Sequence, residues 1–529
     1  MAMRVEARGQ VRTQVGTTLL ALSGTVMALI FLFFTANYPL SAYYTTLIPG
    51  GQLTTPLFSM VGHNIVFLDK GAYVAVIAVL HLFYFAAAGA ALRRAWSAES
   101  AADPLAKWLT LGLALAFATV LFWSYPLFSQ DIFDYLFQTR EWTTYGANPF
   151  THTPEQFSHD QLYKYIAWTK MPSTYGPLWM MLTAPLSLLA GSNLLANLFL
   201  FKGLTYLAYL GTVWLLYLTL GKVQPRYQLA GTLIFAWNPL VLFEFIGSGH
   251  NDIVMLFFVM LAVWLLVGGR YGLSLLALTA ASLIKVVPIF IIPLFLVYIW
   301  RAQAEQEKRR SLPPSGQQIG LANLRFTLLS GGACFAFAAL CYAPLWEGTA
   351  SLAFLRLGDK LGAPIPTALI YSLEGAGLAR STATSLVKSL GWGGFALFYL
   401  RQLWVIWQGS PHILAESVPL RWLAERLEWL LARYRPGRQL LVAWQSAQAD
   451  AEFEAEEQTR RLFRACYGVL LFFTFLTSLY YQPWYISWSF LWLGLLLHPR
   501  YKLHTWPLLG FCCAAVIGYV FQGITGWGN

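Results

Sequence analysis

Residues 129–179 read SQDIFDYLFQTREWTTYGANPFTHTPEQFSHDQLYKYIAWTKMPSTYGPLW, a long polar stretch that follows the apolar run 109–127. It opens with two carboxylates, Asp131 and Asp134. An ionised carboxylate costs roughly 2.5 kcal/mol or more at the centre of a membrane helix, so a pair placed just outside an apolar run asks for a reason. Working outward, the rest of the chain reads as scaffold for this loop. Of its 529 residues 57% are hydrophobic and only 11% charged, with a mean hydropathy of +0.54. A soluble domain carries about 25% charged residues. The expected class is therefore an all-α polytopic membrane protein, and a large soluble enzyme is excluded.

A span needs about 20 apolar residues. Candidate spans are 17–34, 72–92, 108–127, 194–220, 230–246, 254–267, 273–284, 288–300, 326–345, 386–407, 463–480, 484–497 and 506–521, about thirteen transmembrane helices in all. Arg4, Arg8 and Arg12 precede the first, which is too long for a signal peptide and is expected to stay as a helix with a cytoplasmic N-terminus. The net charge of +11 sits mainly in alternate loops: the N-terminus, 93–94, 222–226, 270, 301–325, 421–464 and 500–502. Placing these basic loops in the cytoplasm puts 129–179 outside, together with Gly249 to Asp252, Lys285, loop 346–383 and Tyr481 to Tyr485. Segment 177–191, with Pro177 and Pro185, is only long enough for half a crossing and is expected to lie in the outer interface. The organisation expected is N-terminal helices over 1–107, a central module over 108–300 containing outer loop 129–193, and C-terminal helices over 301–529. The last part holds a flexible loop at 301–325, marked by Pro313 and Pro314, and a cytoplasmic insert at 410–461. Within the insert Leu420, Leu423, Leu427, Leu430 and Leu431 recur at helical spacing, the pattern of a surface amphipathic helix, and 447–461 reads as a solvated helix leading into the next span. The five cysteines all lie in apolar runs and form no disulfide or metal pattern.

Asp131 and Asp134 are three apart and share a helix face. Capping explains one such acid more readily than two. Asn148, in the turn Gly146 to Phe150, and Tyr175, in the turn Pro172 to Pro177, are candidate substrate contacts; both turns also read as loop shapers. Pro239 should kink its helix, and Glu244 should face the protein interior. His250, Asn251 and Asp252 form a polar cluster suited to hydrogen bonding a polar substrate or the outer loop, with a helix cap at Asn251 as the plainer reading. Lys285 at an outer helix end suits an anion, or snorkels; Lys170, Arg356 and Lys360 are further cations on the same side. Trp484 and Tyr485 offer an aromatic platform for a sugar or lipid head, or an interfacial belt.

Taken in order, the acidic pair, GANPF, STYGPLW, WNP…E…GSGHND, LIKVVP and QPWY resemble the GT-C membrane glycosyltransferases. They look most like the polyprenyl-phosphate-mannose-dependent alpha-mannopyranosyltransferases of actinobacterial lipoglycan assembly. The resemblance covers about 122–293 and 482–485, and insert 410–461 has no counterpart in it. It implies a GT-C fold with interfacial helices in the first outer loop, a multi-pass protein of the plasma membrane, and an active site on the extracytoplasmic face. It also implies an inverting hexosyl transfer, most simply of mannose, from a polyprenyl phosphate to a glycan or glycolipid, with Asp131 as the catalytic carboxylate. Asp134 is carried as a second catalytic candidate, at a place where the family pattern is less fixed, and Lys285 matches a lysine that suggests a phosphate contact. The chemistry agrees. A lipid phosphate is already a good leaving group, so transfer needs one base for the acceptor hydroxyl and cations for the departing phosphate. The missing GxGxxG loop fits a lipid donor, and no nucleic-acid partner is expected. No protein metal site or other cofactor is expected, although the sequence leaves room for magnesium or manganese. Two other readings stay open: a flippase or transporter of lipid-linked sugars, and a ligase or polymerase that uses a diphosphate-linked donor.

Overall fold

A computed structural model describes residues 2–40, 70–96, 103–126, 128–308, 316–352, 362–408, 454–497 and 509–517. All regular structure in them is helical, apart from two isolated bridges. Among the described residues, six helices are long and apolar enough to cross a membrane, or seven when a bent pair counts as one span. The chain is thus an all-α, multi-pass membrane protein. The expected spans at 254–267 and 273–284 are helices of only 16 and 12 residues. At 1.5 Å per residue these are about 24 and 18 Å long, short of a hydrocarbon core of about 30 Å.

Helix α1 (Ala2–Asn37) packs on α2 (Lys70–Trp96) and α3 (Pro104–Phe122). Asp103 starts α3, its Oδ1 accepting from Leu105 N at 2.9 Å and Ala106 N at 3.3 Å, with Pro104 in the first turn. The quoted loop then holds α4 (Asp131–Tyr145) and leads into α5 (Pro177–Ala190). Pro177 begins α5 and Pro185 lies inside it. Its 14 residues give about 21 Å, again too short to cross. Its buried face meets α4 through hydroxyl pairs, Thr139 with Thr183 at 2.9 Å and Thr143 with Ser187 at 3.0 Å.

Next come α6 (Leu194–Val223), α7 (Gln228–Ala236) and a half-helix, Pro239–Gly247, bent 49° from the segment before it. The kink arises where expected: Pro239 cannot continue the hydrogen-bond ladder, and Asn238 Oδ1 caps the new half by accepting from Leu240 N at 2.9 Å. The half-helix ends as a π-helix, Leu242–Gly247. Helix α8 (Asp252–Val267) lies against α6 and α9 (Tyr271–Ser282).

The remaining described helices are α10 (Ile292–Lys308), α11 (Gly316–Tyr342), α12 (Pro364–Gly375), α13 (Arg380–Gln408), α14 (Glu454–Phe472) and α15 (Ser487–Leu495). The stretch expected to be a flexible loop at 301–325 is corrected on both sides: 301–308 continue α10 and 316–325 begin α11. Hydropathy marks where a helix leaves the hydrocarbon, not where it ends, and residues 301–308 are good helix formers bridged by Arg301 and Glu305 at 2.8 Å. In the insert, 454–461 are helical as the first part of α14, while the leucine-patterned segment around Leu420 lies outside the described residues.

Candidate active site

Helix α4 carries both acids of the opening motif in its first turn. Neither caps it, and Gln130 at the cap position makes no side-chain bond there. Asp134 instead ties down a distant part of the same loop. Its Oδ1 accepts from Trp168 N at 2.9 Å and Ala167 N at 3.2 Å. Burial pushes the Asp134 carboxyl well above the usual carboxylate range, the neighbouring Asp131 charge adds to this, and the two N–H bonds only partly oppose it. Asp131 is different: its side chain keeps 20% of its surface, and its Oδ2 lies 3.7 Å from His250 Nδ1.

His250 sits in the turn between the π-helical end of the half-helix and α8. Its Nε2 is 3.1 Å from Glu244 Oε2, so one ring nitrogen faces Glu244 while the other faces Asp131. Tyr135, one residue after Asp134, brings its hydroxyl to 3.2 Å from His250 Nδ1 and donates to Asn251 Oδ1 at 3.4 Å. Asn251 holds the cap position of α8 but makes no side-chain cap bond, so this cluster serves the loop rather than the helix start. The turn is tight. Gly249 has φ +74°, and a Cβ there would stand 2.6 Å from Ile132 Cδ1. From below, Lys202 on α6 donates to the carbonyls of Leu121, Ser124 and Gly247, joining the end of α3 to this turn.

Opposite Asp131 stands a wall of cation and aromatics. Lys285 Nζ donates to Asp252 Oδ1 at 2.8 Å, and Trp488 Nε1 donates to the same oxygen at 2.6 Å. The ammonium lies 4.9 Å from the Tyr485 ring centroid and 5.3 Å from that of Trp488, and these two rings stack at 4.3 Å. Trp484 stacks on His250 at 4.1 Å. The loop and this wall are bolted together at Gly176. Its N–H donates to Ile284 O at 2.9 Å, and a Cβ there would meet Leu283 O at 2.1 Å. Only a glycine admits that approach, which draws Tyr175 and Lys285 to one place.

Between the two sides lies a cavity of about 320 Å³. Asp131, Asp134, Tyr175, Lys285, Trp484 and Tyr485 all line it, so residues from four separate motifs converge. Its lining is polar along α4 and at Lys285, and apolar along Val286, Phe290, Trp392 and Phe473. His250, Asn251 and Asp252 lie directly behind the lining, buried. Asn148 is elsewhere: its Nδ2 donates to Leu345 O at 2.7 Å and its Oδ1 accepts from Phe150 N at 3.0 Å, fastening the first large loop to the start of the 346–383 segment. Lys170 is exposed next to the cavity residue Met171. Arg356 and Lys360 lie outside the described residues. Among the described residues no group of three or more His, Cys, Asp or Glu side chains is placed to hold a metal ion. Of the two acids at the cavity, Asp134 already commits Oδ1 to backbone N–H groups, which leaves a poor ligand pair for magnesium or manganese.

Sequence reasoning missed three residues of the site: Gln138, Trp488 and Lys202. Gln138 falls four residues after Asp134 on the same helix face, and Lys202 is a lone cation inside an apolar run; both signals were present. Trp488 has no local signal, because its partner Asp252 is 236 residues away.

Residues 41–302 match the family model described as "Alpha-(1->6)-mannopyranosyltransferase, N-terminal domain". The chain is 25% identical to Alpha-(1->6)-mannopyranosyltransferase A of Mycobacterium tuberculosis over 316 residues, 58% of this chain and 56% of that protein. It is 26% identical to Alpha-(1->6)-mannopyranosyltransferase B of Corynebacterium glutamicum over 152 residues, 28% of this chain and 24% of that one. The chain thus matches about half the length of the first relative and a quarter of the second. No solved structure matches it significantly.

Proposed function

From the premise that this chain is related to the alpha-(1->6)-mannopyranosyltransferases, we propose that it transfers a hexose, mannose by analogy with its relatives' names, from a polyprenyl phosphate to a glycan or glycolipid. In this reading the fold is GT-C with about thirteen transmembrane helices. The cavity opens on the extracytoplasmic face of the plasma membrane, as the loop charges favour.

The observation that carries the reading is that Asp131 and Lys285 line one cavity whose far side is apolar. Asp131 takes the proton from the acceptor hydroxyl. The acceptor oxygen bonds to the anomeric carbon from the face opposite the phosphate, while the bond from that carbon to the phosphate oxygen breaks, so the centre inverts. The electron pair leaves with the lipid phosphate, whose growing charge Lys285 meets, with Lys170 and Arg356 as further candidate cations from the sequence. One carboxylate suffices, because the leaving group needs no proton. The Asp252 carboxylate and the two rings hold the ammonium in place, and His250 keeps Asp131 aimed. The apolar side, ending at Phe290 and Trp392, suits the first isoprene units of the donor. Tyr175, Trp484 and Tyr485 offer ring faces to the sugar.

The test uses purified full-length chain in proteoliposomes with polyprenyl-phosphate mannose and a synthetic alkyl mannoside. Transfer to the mannoside is expected, with Asp131→Asn lowering kcat by about 10²–10⁴ while thermal stability stays near that of the wild type. Full turnover in that variant removes Asp131 from the chemistry. Donor moved across the bilayer unchanged would indicate a flippase, and consumption of a diphosphate-linked donor alone would indicate a ligase.

A further inference from the structure

Helix α4 continues past Asp131 as a stripe. Asp131, Asp134 and Gln138 are spaced three and then four residues apart, on one face, and all three line the cavity. Seven residues cover about 10 Å of helix axis, room for a whole pyranose ring beyond the base. Two atoms of this stripe are buried without a hydrogen-bond partner: Asp134 Oδ2 and Gln138 Oε1. Gln138 is 4% exposed and Asp134 2% exposed. Buried polar atoms left unpaired cost about 1–3 kcal/mol each, so such a pair on two residues that line a cavity implies a polar occupant.

We propose that Asp134 and Gln138 form the subsite that holds the hydroxyls of the acceptor sugar beside Asp131. This rests on the hexosyl-transfer reading above. The assignment to acceptor rather than donor follows from Asp131: the side chains that continue its helix face touch the molecule whose proton it removes. The ligand class follows from the atoms on offer. Asp134 Oδ1 is taken by the two backbone N–H groups, which leaves Oδ2 as the working atom. Burial and the Asp131 charge favour the protonated form, in which Oδ2 carries a hydrogen and donates. Gln138 Oε1 accepts. One neutral donor and one neutral acceptor, next to a single negative charge, match two hydroxyls of an uncharged sugar and disfavour a phosphate or a carboxylate. Asp134 is thus a binding residue that stays neutral, not a second base.

Two variants separate this from other roles. Asp134→Asn keeps an oxygen for the Ala167 and Trp168 N–H groups and supplies an amide donor where Oδ2–H stood. It is expected to raise KM for the alkyl mannoside about threefold and to lower kcat far less than Asp131→Asn does. Gln138→Met keeps the volume and removes the acceptor; it is expected to raise KM for the alkyl mannoside about tenfold or more and to leave KM for the lipid donor unchanged. The proposal fails if Asp134→Asn is as inactive as Asp131→Asn, if Gln138→Met shifts the donor KM instead, or if it shifts neither. Calorimetric titration of the same alkyl mannoside into the detergent-solubilised full chain reads the subsite without turnover: about tenfold weaker binding to Gln138→Met supports it, and equal binding overturns it. A chain that binds the mannoside in this way but transfers no hexose would sink the transfer reading and leave the subsite standing.

Discussion

Lys202, inside an apolar helix, and Lys285, just past the end of one, are both lysines, and the structure treats them in opposite ways. Lys202 is completely buried and spends its three N–H donors on three main-chain carbonyls. Lys285 donates one described hydrogen bond, to Asp252, and otherwise faces two aromatic rings and the cavity. A cation whose donors are all used is a fastener. A cation with donors turned toward a cavity is available to an anion that arrives there. The difference lies in the completeness of the partner set, which is a property of the fold and not of the residue type.

Replacing the fastener should act on stability. In Lys202→Met the carbonyls of Leu121, Ser124 and Gly247 lose their donor together. At about 1–3 kcal/mol for each buried acceptor, less what is regained by no longer burying an ammonium, the expected net loss is about 3 kcal/mol. Size-exclusion of detergent-solubilised protein after graded heating reads it as a Tm lower by several degrees, and activity should fall with the amount of folded protein. An unchanged Tm would mean that the three bonds do not hold the turn. Lys285→Met should break the comparison the other way. The expected loss is about 10²–10³-fold in kcat per folded molecule, the scale of one electrostatic contact to a developing charge, together with a lower Tm because the buried Asp252 loses its cation. A variant that lost stability and kept its rate per folded molecule would make Lys285 a fastener as well.

The two lysines also show how much the sequence could disclose. The polar loop, the kink at Pro239, the short helix after Pro177 and the shared face of Asp131 and Asp134 were all legible, because each follows from a local rule: hydropathy, missing N–H groups, or helical period. Lys285, Trp484 and Tyr485 were picked out as well, and they line the cavity. What stayed hidden were partnerships across the chain. Periodicity says that Gln138 shares a face with Asp134, but not that the face meets a cavity. Nothing near Asn148 says that Leu345, 197 residues on, claims its amide. The segment 301–325 was misread for a related reason, since polar residues end a span without ending its helix.

Glu141 extends the comparison to a group with no hydrogen-bond partner among the described residues. It lies three residues past Gln138 in α4, fully buried, with both carboxylate oxygens unpaired. Burial raises its pKa to about 9, and the nearby Asp134 carboxyl contributes in the same direction. In the unfolded chain the same carboxyl titrates near 4.3. Between those two values the folded protein binds a proton that the unfolded chain has released, so stability must fall as pH rises through that window and level off above it. Glu141→Gln removes the titration and keeps the shape. The expected result is a Tm close to the wild type at pH 5 and a growing advantage for the variant from pH 6 to pH 9, with little change in kcat at pH 6. A wild-type Tm that ran parallel to the variant's across that range would show that Glu141 finds a partner, and that the neutral acid inferred for its neighbour Asp134 needs an independent reason.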